Sequence, residues 1–217
     1  MAFVSHSPQP VARGAGGGVR PFVYVSALFL TWGFVTSIID ELAPAARAIF
    51  QLTYAEQMLT QFAFFLAYGV VSVPASVVLT RLGGAHAILL ALGTMVLGCL
   101  IVVLGTHVVS YTVILVALFV IASGITLLQV AANPLSAALG DPSRAHFRLT
   151  LAQALNSVGT VLGPLVASRL LLTHGLFGSD AFIAVTPAAR TMSLRAIDHQ
   201  FELIALVVML LLSLIHI

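Results

Sequence analysis

Lysine is absent from this 217-residue chain, and charge of either sign is scarce: nine arginines and seven acidic residues make up 7% of the sequence. A soluble domain carries roughly 25%. So few charges cannot cover a water-soluble globule of this size, which excludes a soluble enzyme, a nucleic-acid binder and a disordered chain. The arginines lie scattered singly, so the basic pI of about 9.1 marks no nucleic-acid patch. A single cysteine, Cys99, excludes an intrachain disulfide framework and reads as an apolar core or lipid-facing residue. There is no Ser-His-Asp arrangement, no phosphate-cradling loop and no H-E-x-x-H. His86, His107, His146 and His174 fall at segment ends without metal spacing. No enzyme, metal or organic cofactor is expected. What is present is apolar: 60% of the residues, with a mean hydropathy of +1.11. The chain belongs in a bilayer.

Residues 1–20, rich in glycine and proline and carrying Arg13 and Arg20, read as a flexible cytoplasmic tail. Residues 21–217 read as a bundle of six transmembrane helices, each near the roughly 20 residues that a bilayer requires. The expected spans are about 21–42, 56–79, 87–104, 108–139, 147–172 and 201–217, the fourth tilted or kinked at Pro134. Arginines 13, 20, 81, 144 and 148 fall on one side of this layout, and 47, 169, 190 and 195 on the other. The short turns at Arg81 and at 141–148 favour a cytoplasmic N-terminus.

Ionisable and amide side chains at membrane depth are expensive, about 2.5–3.5 kcal/mol for an aspartate at a helix centre, and are the place to look for function. Trp32, Thr36 and Asp40 recur every fourth residue on one face of the first helix. Asp40 there suits a protonatable group beside a sugar, unless Asp40 and Glu41 simply mark the end of a shorter helix. The fourth helix carries Gln129 and Asn133 just before Pro134, which removes a backbone donor. The fifth repeats the device with Gln153 and Asn156 ahead of Gly159, Gly163 and Pro164. Each amide alone reads as an interhelical hydrogen bond; four amides and a carboxylate on three helices read as a polar cavity. On the second helix, Gln61 leads a set with Phe64, Phe65 and Tyr68. His146 and Arg148 read as interfacial anchors, and Asp198 with Glu202 as a solvated helix start.

The run GITLLQVAANP at 124–134 and FRLTLAQALNSVGTVLGP at 147–164 closely resemble the fucose/galactose/glucose symporter family of the major facilitator superfamily. So does LFLTWGFVTSIID in the first helix, and the likeness covers about residues 27–172. The resemblance implies an all-α integral membrane fold, the six-helix N-terminal half of a twelve-helix transporter around a midplane site. It implies that Asp40 couples protons and that Trp32, Thr36, Gln61, Gln129, Asn133, Gln153 and Asn156 bind substrate. Gln129 stands where the fucose branch has a glutamate, which favours a glucose/galactose-like transporter. The family's gating loop, G-x-x-x-D-R-x-G, keeps only Arg81 and Gly83; Ser76 and Thr80 replace its first Gly and its Asp.

The expected partners are a small-molecule sugar, the lipid bilayer and the missing C-terminal half, with no nucleic acid. The coupling ion is H⁺ by default, with Na⁺ the alternative. The closing hexapeptide LSLIHI at 212–217 can be encoded by a transposon end used to build sequencing libraries. It reads as adaptor sequence that truncates the sixth helix. The function expected is half of a cation-coupled hexose symporter; a fucose:proton symporter half, a non-transporting sugar sensor and an inert remnant stay open beside it.

Overall fold

In hydrocarbon every backbone N–H and C=O must find its partner inside the protein, and for apolar runs like these the helix is the local solution. The computed structural model of the chain describes residues 19–172 and 187–216. The tail expected at 1–20 lies almost wholly outside the described residues, as do residue 217 and much of the polar stretch after 172. The described residues form helices α1 Val19–Phe50, α2 Tyr54–His107, α3 Tyr111–Ala138, α4 Ala145–Leu172 and α5 Pro187–His216. A single 3-10 turn, Pro142–Arg144, joins α3 to α4. No strand occurs among the described residues.

At 54 residues α2 is far too long for one crossing: about 80 Å at 1.5 Å per residue, against a hydrocarbon core of about 30 Å. It breaks at Gly83, whose φ of 78° and ψ of 167° lie outside helical space and favour a residue without Cβ. Interhelical contacts give the directions of the two arms. In the second arm Gly98 meets Ile121 of α3, Gly105 meets Ile114, and Met95 meets Gly124, so numbers fall on α3 as they rise on the arm. In the first arm Thr60 bonds Tyr111 (2.8 Å) and Tyr68 bonds Gln129 (3.0 Å), so numbers rise together. The arms are therefore antiparallel, and α2 passes twice. Helices α1 and α4 run parallel, with Phe29 beside Asn156, Leu30 beside Gly159 and Ser37 beside Gly163. That direction requires an odd number of passes between α1 and α4, as the two arms of α2 and α3 provide. The chain is a multi-pass membrane protein: five of its described helices are long and apolar enough to cross a membrane, and one of them, α2, folds back on itself at Gly83.

Small residues set the spacing. A Cβ on Gly33 would overlap the Asn156 carbonyl oxygen, and one on Gly159 the Leu30 carbonyl oxygen. A Cβ on Gly163 would likewise crowd the Phe34 carbonyl oxygen and the Ser37 Cβ of α1, both at 2.8 Å. The backbones of α1 and α4 thus meet almost directly. The main core lies between the second arm, α3 and α5, where Leu92, Met95, Cys99, Ile121, Ile125 and Phe201 are fully buried. Valines and leucines such as Val70, Val73, Leu97, Leu100 and Val161 face outward, a surface suited to lipid acyl chains.

Two charged residues sit differently from the sequence expectation. Arg148 is no interfacial anchor: it is 8% exposed, and its guanidinium donates to the carbonyls of Ser136 (3.3 Å), Ala137 (2.5 Å) and Asp141 (2.9 Å). A helix leaves its last carbonyls unpaired, and α3 is capped by this side chain from α4. Asp141 opens the intervening turn and accepts from the Ser143 N–H (2.9 Å), which holds its carboxyl below the usual range. Asp198 is not part of a solvated helix start either. Helix α5 begins at Pro187, three turns earlier, so Asp198 is an interior residue; it takes the Thr106 hydroxyl and lies 4.0 Å from His107. Glu202 stays exposed beside His199 (3.4 Å).

Two stability outcomes follow, each read by thermal exposure of the buried Cys99 thiol to a maleimide dye in detergent. Gly159→Ala should cost about 1–3 kcal/mol by overpacking against Leu30, whereas Gly93→Ala, with nothing within 4 Å of its Cβ, should be neutral or better. Arg148→Ala should cost about 2–3 kcal/mol, because it strips charge-assisted bonds from two carbonyls at the end of α3 and one in the turn that follows.

Candidate functional site

Asp40 is not at a helix end. Helix α1 continues through Pro44 to Phe50, ten residues or about 15 Å beyond it, so the carboxylate stands in the helix interior. There it is exposed from the bundle and accepts a long hydrogen bond from Gln61 Nε2 (3.5 Å) of the first arm of α2. Two turns of α1 toward the other end bring the remaining members of the same face. Thr36 returns its hydroxyl to the Trp32 carbonyl (2.9 Å), and the Trp32 ring leans on Phe29 with centroids 5.7 Å apart. Opposite them is Tyr68, whose hydroxyl is bordered by the Trp32 and Thr36 side chains and receives Gln129 Nε2 from α3 (3.0 Å). The Tyr68 ring packs on Phe64 (5.4 Å).

One polar group on α1, the first arm of α2 and α3 therefore unites Asp40, Gln61, Trp32, Thr36 and Gln129. A second joins α3 to α4: Gln153 Nε2 donates to Asn133 Oδ1 (3.4 Å), one turn along α3 from Gln129. Asp40 and Gln153 are exposed, and Gln61, Gln129 and Asn133 half-buried, so these side chains reach an open face of the bundle. Pro134, also exposed, has no N–H to return to Val130 and so leaves that carbonyl without its helical donor. Asn156 stands apart. Its Nδ2 donates to the Phe29 carbonyl (3.1 Å) at the glycine contact between α1 and α4.

Gly83 makes the bend of α2, with Arg81 exposed two residues earlier. The residues standing in place of the family's Gly and Asp turn back on their own helix: Ser76 bonds the Val73 carbonyl (2.7 Å) and Thr80 the Val77 carbonyl (2.9 Å). No cluster of three metal-ligating side chains occurs among the described residues.

Two residues escaped the sequence reading. Arg148 was misplaced because nothing in one sequence tells a capping guanidinium from an interfacial one. Tyr68 was seen only as an aromatic lining, although its spacing of seven from Gln61 puts both on one helical face.

No protein-family model matches the chain. It is 43% identical over 149 residues to a glucose/galactose transporter of Brucella abortus, covering 69% of this chain and 36% of that one. It is 32% identical over 173 residues to the L-fucose-proton symporter of Escherichia coli K12, covering 78% and 40%. A putative glucose/galactose transporter of Helicobacter pylori is 38% identical over 157 residues, 72% of this chain and 38% of that one. Among solved structures, the major facilitator superfamily transporter FucP in its outward conformation superposes with a TM-score of 0.79 at 30% identity, over 90% of this chain and 49% of its own. The chain thus spans 36% to 40% of these curated relatives and about half of the solved one. All of these relatives are named as transporters or symporters. By sequence and by fold, the chain belongs to the major facilitator superfamily and matches about half of that all-helical architecture.

Proposed function

We propose that this chain forms one half of a cation-coupled symporter that imports a hexose such as glucose or galactose. The observation that carries the reading is the polar face on which Asp40 and Gln61 pair beside Trp32, Thr36, Tyr68 and Gln129. A carboxylate that is neutral when protonated can pass through a closed, low-dielectric state; an ionised one needs water or a donor. Asp40 has such a donor in Gln61 and is exposed on the face that a second half would close. Its proton is the simplest coupling ion, with Na⁺ the alternative. Amides at 61, 129, 133 and 153 supply the paired donors and acceptors that sugar hydroxyls need, and Trp32 supplies a ring face. Asn156 contributes by holding α4 against α1. The amide at 129, in place of the fucose branch's glutamate, favours glucose or galactose over fucose. The bend at Gly83, beside Arg81, serves as the cytoplasmic turn between two passes, in a bacterial inner membrane with the N-terminus inside.

The test uses the product of the complete genomic locus, reconstituted in vesicles with an imposed pH gradient. Asp40→Asn should abolish gradient-driven hexose accumulation, a fall of at least tenfold, while sugar exchange without a gradient persists. Accumulation that follows pH as well in the variant as in the parent would refute the coupling role. Substituting a Na⁺ gradient identifies the ion.

A further inference from the structure

We infer that Tyr68 is a positioning residue for the sugar: its hydroxyl fixes the sense of the Gln129 amide and thereby sets which hexose epimer is preferred. The inference rests on the hexose-transport reading above and adds a residue that reading does not need.

A glutamine amide has a donor end and an acceptor end of nearly equal size, and a half-turn about its last bond exchanges them. In an aqueous cavity that exchange is free, and such an amide discriminates poorly between hydroxyls in different orientations. Here Nε2 of Gln129 is committed to the Tyr68 oxygen at 3.0 Å. The commitment leaves Oε1 as the end available to a ligand, so the site offers an acceptor at this position. Glucose and galactose differ in the direction of one ring hydroxyl, and rejection of the wrong direction requires a partner that cannot turn to meet it.

Tyr68 is itself held firmly enough to do this. Its ring lies against Phe64 at 5.4 Å and Phe65 at 6.4 Å, within the same arm of α2. Its hydroxyl is bordered on the α1 side by Trp32 and Thr36. Thr36 has its own hydroxyl proton engaged with the Trp32 carbonyl at 2.9 Å, so its oxygen is left to accept the phenolic proton. The phenol therefore joins α1, α2 and α3 at one oxygen, and it does so one turn of α1 away from Asp40. A phenylalanine at 68 keeps the ring contacts and removes only this junction, which separates positioning from packing.

The experiment compares Tyr68→Phe, Gln129→Ala and the double variant in the reconstituted product of the complete locus, measuring KM for glucose and for galactose. Tyr68→Phe should raise KM for the preferred hexose about tenfold, lower the maximal rate far less, and narrow the preference between the two sugars severalfold. The double variant should be no worse than Gln129→Ala alone, within about twofold, because both changes remove one interaction. Cys99 protection in each variant reports that the bundle is folded. An unchanged KM and epimer preference in Tyr68→Phe, or losses that multiply in the double variant, would overturn the positioning role. Failure of the unsubstituted, folded protein to take up either hexose would instead bring down the transport reading, and this inference with it.

Discussion

The close approach of α1 and α4 through Gly33, Gly159 and Gly163 governs where the polar face of α1 points. Successive residues of a helix lie about 100° apart. With Leu30, Gly33, Phe34 and Ser37 turned onto α4, the face one residue back, Trp32, Thr36 and Asp40, is carried roughly a quarter-turn away, toward the first arm of α2. A bulkier contact between α1 and α4 would translate or rotate α1 and break its register with Gln61 and Tyr68. Asn156 is part of the same device: its amide bonds the Phe29 carbonyl at the point where the backbones meet.

Magnitudes decide what the amides are for. Interhelical hydrogen bonds between side chains in membranes average about 0.6 kcal/mol, because the separated helices find other partners. The contacts of Gln61, Gln129 and Gln153 therefore hold the bundle weakly, and the Gln61 and Gln153 bonds are long, at 3.5 and 3.4 Å. Cohesion comes from glycine-mediated backbone contact and the buried aliphatic core, with Arg148 closing the end of α3. On the proposed reading the long Gln61 and Gln153 pairs on an open face are exchanged for ligand hydroxyls at little cost, while the shorter Gln129–Tyr68 bond, at 3.0 Å, is kept.

Much of this was legible in the sequence, for reasons that are physical. The long apolar helices follow from apolar run lengths, and the four-residue spacing of Trp32, Thr36 and Asp40 places them on one face without any structure. Gly83 stood out only through the loop pattern, but its φ of 78° is what divides a 54-residue helix. Pairing between helices was not legible. That Gln129 meets Tyr68, sixty-one residues away, depends on how α3 slides along α2, and that offset is set by which glycine faces which isoleucine. Helix ends were misjudged for a related reason. Asp198 looks like a solvated start because the apolar run begins just after it, yet α5 extends back to Pro187 and Asp198 is held by Thr106.

The scarcity of charge limits the coupling chemistry. Around the Asp40–Gln61 pair and its neighbours Trp32, Thr36, Tyr68 and Gln129, Asp40 is the one carboxylate among the described side chains, an amide standing at 129; Glu56 opens α2, Asp141 opens the turn before α4, Asp198 is held by Thr106 at the last residues of α2, and Glu202 is exposed beside His199. On the proposed reading this half can therefore take up one proton per cycle at the sugar site. A fucose-type arrangement, with a second carboxylate on α3, would place two like charges on adjoining helices and have to resolve their mutual repulsion. Gln129 removes that conflict. On the proposed reading it leaves the proton to Asp40 and the sugar to the amides, so protonation and recognition reside on different side chains.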